Sequence, residues 1–139
     1  PVIALDSSAL LKRYLDEPGA TFVAEVMEEN PQWAASALSR VEAGITLCRY
    51  WSAGVVRASQ LQSLDDDWER FLSVPVDGDC LARAQAIGCE HGVGTLDAIH
   101  LAAALAVPGD PAFLTFDLRQ RDAAVKLGLP VIVPSGDSG

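Results

Sequence analysis

Positive charge, cysteine and aromatic rings are all scarce in this chain, and each scarcity argues against a class of function. Ten Lys and Arg stand against nineteen Asp and Glu, a net charge of −9 at pH 7. That is the wrong sign for a protein that coats nucleic acid without regard to sequence, where neutralised phosphates supply the affinity. Nucleic-acid chemistry on such a chain needs a metal at the site, a local basic rim or a basic partner. The three cysteines, Cys48, Cys80 and Cys89, show no C-x-x-C spacing, which argues against a disulfide framework or a zinc site. We read all three as buried small hydrophobes in a reducing cytoplasm. Trp33, Trp51 and Trp68 read as core or interface anchors rather than a base-stacking platform. No apolar run reaches the roughly 18 residues of a membrane span, so no membrane association is expected. The opening Pro1-Val2-Ile3 reads as a first strand, not as the basic start of a signal peptide.

Several motifs are missing too. His91-Gly92-Val93-Gly94 precedes a predicted helix but lacks the third glycine of a dinucleotide fingerprint, and no Walker sequence is present. Asp6-Ser7-Ser8 lacks the second Asp, two residues on, of a haloacid-dehalogenase-type phosphatase.

What remains is a chain of 139 residues, half of them hydrophobic, enough for one domain with a proper core. Short apolar runs suit buried strands at 2–5, 33–38, 72–76, 112–116 and 131–133. Helical spacing predicts helices from Asp6-Ser7-Ser8 to about Leu15, and over 21–29, 39–52, 55–71, 81–90, 95–106 and 118–127. Strands interleaved with helices predict an α/β fold with a mostly parallel sheet covered on both faces. The domain should occupy residues 1–134, with 135–139 a flexible C-terminal tail.

Against this frame four acids stand out. Asp6 and Asp117 directly follow predicted buried strands, at the edge where open α/β sheets bind ligands. Glu42 and Asp97 fall in the first turns of helices, where the helix dipole favours an ionised carboxylate. If they converge, they repel one another unless a hard cation such as Mg²⁺ or Mn²⁺ lies between them. Oxygen-only ligation of that kind serves phosphoryl chemistry. Each acid alone also fits a capping role: Asp6 and Asp117 as N-caps, Ser39-x-x-Glu42 as a capping box, and Thr95-x-Asp97 as a cap with a first-turn acid. Spacing does not choose between capping and convergence. Ser7 and Ser8 read as helix-start residues that bond the backbone. His100, three residues past Asp97, reads as a packed core histidine, with orientation of a ligand as the alternative.

A resemblance adds to this. Asp6-Ser7-Ser8-Ala9-Leu10 with Tyr14-Leu15-Asp16-Glu17-Pro18-Gly19, then Ser39-Arg40-Val41-Glu42-Ala43, Thr95-Leu96-Asp97-Ala98-Ile99-His100-Leu101-Ala102, and Leu114-Thr115-Phe116-Asp117 resemble, in order, the four motifs of PIN-domain ribonucleases of the VapC-like toxin type. The resemblance implies a PIN-like three-layer α/β/α sandwich. It implies a Mg²⁺- or Mn²⁺-dependent endoribonuclease, with Asp6, Glu42, Asp97 and Asp117 as both metal ligands and catalytic residues. Thr115 matches a supporting hydroxyl, and Ser7 is a second supporting candidate. Arg119, Arg40 and Lys12 are candidates for holding phosphate. Gly94 departs from the pattern, since VapC-like chains often carry Arg there. The implied partners are an RNA substrate, a cognate VapB-like antitoxin and a second copy of the chain. Tyr14, Phe22 and Trp33 are the expected interface positions. A PIN-fold interaction module without catalysis and a structure-specific DNA nuclease are the alternatives.

Overall fold

A computed structural model describes residues 1–133, so the expected tail lies outside the described residues. In chain order the elements are β1 (Val2–Leu5), α1 (Ser7–Lys12), α2 (Ala20–Glu29), β2 (Gln32–Ser36), α3 (Ala37–Ser52), α4 (Ala58–Trp68), β3 (Phe71–Val74), α5 (Gly78–His91), α6 (Thr95–Ala106), β4 (Ala112–Leu114), α7 (Leu118–Lys126) and β5 (Val131–Ile132). The five strands form one sheet in the order β3-β2-β1-β4-β5, and every pairing is parallel. Strand order reverses between β1 and β4. At such a switch point the connections leave in opposite directions and open a crevice beyond the strands' carboxyl ends.

Side-chain alternation along the strands divides the core into layers. Ile3, Leu5, Trp33, Ala35, Phe71 and Leu114 pack with α1 to α4. Ala4 and Phe113 pack with α5 to α7. The second layer is built largely from alanine, including Ala98, Ala102, Ala104, Ala123 and Ala124. Small side chains allow α6 to lie close against the strands, and this brings its first turns over the crevice.

Several boundaries differ from expectation for local reasons. β2 stops at Ser36, whose side chain accepts the Leu38 N–H at 3.1 Å, so Ser36 and not Ser39 caps α3. The expected capping box at Ser39-x-x-Glu42 is therefore not formed. α6 begins one residue too early for Thr95 to cap it; Gly94 is the N-cap and Asp97 sits in the first turn. α5 begins at Gly78 because the Asp77 side chain caps it through the Cys80 N–H at 2.9 Å. α1 ends at Lys12, where the Arg13 and Tyr14 N–H groups bond back only three residues.

Tyr14 then turns inward. Its hydroxyl donates to Asp67 Oδ2 at 2.8 Å, with Arg13 Nε on the same oxygen at 2.8 Å. Burial and this carboxylate push the phenol well above its ordinary range. Gly19 follows the Pro18 break with φ +96, and a Cβ there would meet the Phe116 ring at 2.9 Å. Both the backbone and the space require glycine.

Two sequence expectations, the early-helix interface and the cysteines, are corrected by burial. Tyr14 and Trp33 are 5% and 4% exposed, so neither belongs to a docking surface, and Phe22 is half-buried against the core. Cys80 is buried as expected, whereas Cys48 and Cys89 are exposed. Trp33 is core and Trp68 stacks on Phe71, but Trp51 is exposed. Among the described residues, no helix is long and apolar enough to cross a membrane.

Candidate active site

The crevice at the β1/β4 switch point begins with Asp6. It ends β1, caps α1 and is 1% exposed. Its Oδ1 accepts the Ala9 N–H at 2.9 Å and the Ser8 hydroxyl at 2.7 Å, while Oδ2 accepts the Thr115 hydroxyl at 2.7 Å. Those two hydroxyls reach on to the next strand's end. Ser8 Oγ accepts the Phe116 N–H at 3.1 Å, and Thr115 Oγ1 accepts the Asp117 N–H at 3.0 Å. Asp117 in turn caps α7, its Oδ1 accepting the N–H groups of Arg119 and Gln120 at 2.8 and 3.1 Å.

Gln120 carries the connection to α6. It is 3% exposed, and its Nε2 donates to Asp97 Oδ1 at 2.9 Å. One turn along α6 from Asp97, His100 Nε2 lies 2.7 Å from Glu42 Oε1 on α3. An ionised Glu42 can only accept, so Nε2 carries the proton and Nδ1 is left facing the Ser39 hydroxyl at 3.4 Å. Glu42 Oε1 also accepts the Ser7 hydroxyl at 2.6 Å, and Ser7 is Asp6's neighbour in the chain. The contacts thus close a circuit from Asp6 through Thr115, Asp117, Gln120, Asp97, His100, Glu42 and Ser7 back to Asp6. Four acids from four separate segments share one edge of the sheet.

Their charges respond accordingly. Burial pushes the Asp6 carboxyl above its ordinary range, against its hydrogen bonds from Thr115, Ala9 and Ser8. Asp97 is also raised, first by desolvation, then by repulsion from Asp117, with Glu42 a smaller contributor. The Gln120 hydrogen bond pulls Asp97 the other way. Glu42 is lowered, chiefly by the hydrogen bond from His100.

The donor set is oxygen-rich and crowded, which suits Mg²⁺ or Mn²⁺, and the repulsion felt by Asp97 is what a divalent cation relieves. Among the described residues, no three Asp, Glu, His or Cys side chains are already arranged to hold an ion. Each carboxylate is instead engaged by a protein donor. Asp97, Asp117 and Glu42 each engage protein donors through one oxygen. Among the described residues their other oxygens have no protein partner, so these can ligate an ion while the present hydrogen bonds are kept. Cavity size does not mark the site: a cleft of about 680 Å³ beside β3, α5 and α6 contains none of the four acids.

The candidate phosphate contacts divide. Lys12 pairs with Glu17 at 3.1 Å and lies over the Phe116 ring, and Arg40 pairs with Asp65 at 2.6 Å. Arg119 is exposed, two residues past Asp117, and makes no ion pair among the described residues. Sequence reading missed Gln120 altogether. It gave Ser39 the wrong work, as a cap, whereas His100 is buried as expected and also holds Glu42, the alternative reading of that residue. Ser7 bonds the Glu42 carboxylate across the fold, while Ser8 bonds Asp6, the cap of its own helix, and reaches across the fold to the Phe116 N–H.

Comparison with known proteins agrees with this architecture. The model of the PIN domain family matches residues 3–126. The protein named Ribonuclease VapC46, from Mycobacterium tuberculosis (strain ATCC 25618 / H37Rv), is 36% identical over 135 residues, spanning 96% of this chain and 98% of that one. A toxin–antitoxin complex from Klebsiella pneumoniae superimposes with a TM-score of 0.71 at 20% identity, over 95% of this chain and 97% of the other. FitAcB from Neisseria gonorrhoeae gives 0.64 at 19% identity, over 96% and 98%. At those identities the two structures speak for the fold alone. With its all-parallel sheet, its acid-lined switch point and a family match across most of its length, the chain belongs to the PIN domain family, and within it resembles the VapC-like proteins.

Proposed function

We propose that this chain is a divalent-metal-dependent endoribonuclease that acts as the toxin of a VapBC-type pair. The observation that carries this is the crowding of Asp97 by Asp117 and Glu42 at the switch point, in a chain whose 36%-identical relative is named a ribonuclease. Asp6, Glu42, Asp97 and Asp117 would hold the cation. When bound, Mg²⁺ or Mn²⁺ would supply a lowered pKa for an attacking water and neutralise charge developing on the phosphate.

The protein's own groups do the rest. Thr115 and Ser8 fix Asp6, while His100 and Ser7 hold Glu42 ionised and oriented. Gln120 spans Asp97 and Asp117, keeping the two repelling carboxylates in register. No side-chain nucleophile is needed: the Ser7, Ser8 and Thr115 hydroxyls are committed to carboxylates, and the Ser39 hydroxyl faces His100 Nδ1.

The toxin reading brings an antitoxin of VapB type, as in the toxin–antitoxin complexes that share this fold, and a second copy of the chain. With Tyr14 and Trp33 buried, α3 offers a second copy a group of exposed apolar side chains, among them Val41, Ile45 and Trp51 at 52%, 47% and 51% exposure. Light scattering should show Ile45→Glu as a monomer where the parent chain is a dimer; equal masses would remove α3 from the contact.

The test of the activity is to mix the purified chain with total cellular RNA and Mn²⁺ and map the new ends, with Asp97→Asn as control. Asp97 is the better control because Asp6 is buried and its loss would disturb the fold. New ends that require both Mn²⁺ and Asp97 support the reading. Cleavage of DNA but not RNA would replace it with the DNA-nuclease alternative, and no cleavage of either would favour a binding module.

A further inference from the structure

Beside the acid circuit lies a second feature with the opposite charge. The turn between α5 and α6 faces one side of α7, and the two enclose a cleft of about 170 Å³ lined by His91, Gly92, Arg119, Asp122 and Lys126, among others. None of the four acids lines it. Elsewhere in this acidic chain, Lys12, Arg13 and Arg40 are held by Glu17, Asp67 and Asp65. Among the described residues Arg119 and Lys126 form no ion pair, even though Asp122 lies between them on the same helix. Arg49, Arg57, Arg70, Arg83 and Arg121 are likewise without an ion pair among the described residues, but only Arg119 and Lys126 share this cleft, where both are available to a ligand.

Geometry narrows that ligand. Arg119 and Lys126 are seven residues apart, two turns along one helix face, so their backbones are separated by about 10 Å. That spacing suits two phosphates of one strand better than one small anion. Gly92 forms the opposite wall with φ +68, and a Cβ there would meet nothing within 4 Å, so the wall leaves room for a sugar–phosphate unit. Arg119 is also two residues from Asp117, so a strand crossing the acid circuit would run directly into this cleft.

We propose that the His91–Gly92 turn and the Arg119/Lys126 face of α7 form a phosphate-binding subsite for the RNA strand adjoining the scissile bond. The subsite rests on the ribonuclease reading and explains how an acidic protein grips a polyanion at one place. Arg119 and Lys126 each neutralise a backbone phosphate, and His91 offers a hydrogen-bond donor from the opposite wall. Asp122 opposes binding and keeps the contact weak.

The test measures affinity of the full chain for a short 2′-O-methylated single-stranded RNA, which resists cleavage, across a range of salt concentrations. Each lost phosphate contact on a single strand lowers the slope of log K against log salt by about 0.7. Arg119→Ala with Lys126→Ala should therefore lower it by about 1.4 and raise KM for RNA cleavage roughly tenfold. Arg119→Lys with Lys126→Arg should restore the slope, and Asp122→Asn should tighten binding. Asp122→Asn carries the test should the double alanine variant fail to fold. An unaltered slope and KM in the alanine variant, or unaltered binding in Asp122→Asn, overturns the subsite. If the parent chain cleaves RNA normally in that case, the ribonuclease reading survives; if the parent chain leaves RNA intact, both fall.

Discussion

The two halves of the acid circuit are built differently. The inner half, Asp6 with Ser8 and Thr115 and Glu42 with Ser7 and His100, is tied by several short hydrogen bonds, with Asp6, Thr115 and His100 buried and Ser7, Ser8 and Glu42 half-buried. The outer half, Asp97 and Asp117, is half-exposed and bridged by a single glutamine. Gln120 Oε1 is buried and has no partner among the described residues. Folding alone organises the inner half. The outer half carries repulsion that folding leaves in place, and that is where an added cation has most to do.

This contrast can be broken by mutation. The largest expected effect is at Asp97, where Asn keeps the shape and removes the charge. RNA cleavage should fall by more than the roughly 10–100-fold cost of losing a group that merely supports a metal ligand, with the melting temperature held or raised. Near-normal turnover would take Asp97 out of the mechanism. Next comes Thr115→Val on the inner half, which leaves Asp6 Oδ2 and the Asp117 N–H short of a partner. The expected cost is about 1–3 kcal/mol of stability by denaturant unfolding. Unchanged stability would show that the inner half is less tightly wired than its distances imply.

Gln120→Leu sharpens the comparison. The Gln120 hydrogen bond pulls the Asp97 pKa down, so its loss raises that pKa further. The acid limb of the pH–rate profile should then move to higher pH, and a shift downward or none would contradict the bridge.

A smaller effect concerns pH and metal together. Asp6 and Asp97 have raised values when folded, so the stability they contribute is complete below their unfolded values, near pH 4, and is lost as pH rises through the folded ones. Glu42 is depressed, so its contribution is present above its unfolded value and lost on acidification through the folded one. A divalent cation should recover what Asp6 and Asp97 lose. Millimolar Mn²⁺ should thus raise the melting temperature more at about pH 7.5 than at about pH 5. An equal rise at both would place the ion elsewhere.

The sequence made the sheet legible at β1, where Asp6 is both terminator and cap; Asp117 is a cap only, since β4 ends at Leu114, short of the expected 112–116. It also showed the four acids, since each stands near a strand end or a helix start. The positions of their partners were not legible. His100 meets Glu42 across 58 residues and Gln120 meets Asp97 across 23. A polar side chain inside a helix gives no local sign of a partner so distant. Tyr14 failed for the same reason, its burial depending on Asp67, 53 residues away. Ser39 failed locally instead, because Ser36 offered a cap three residues sooner.

Direct binding of Mn²⁺, followed by loss of the free ion's electron paramagnetic resonance signal, tests the central claim most closely. The parent chain should take up Mn²⁺ with an affinity that Asp97→Asn weakens at least about tenfold, while Ile45→Glu, far from the acids in role, leaves it unchanged. No uptake by the parent chain, or equal uptake by the Asp97→Asn chain, would contradict a cation centre built on these four carboxylates.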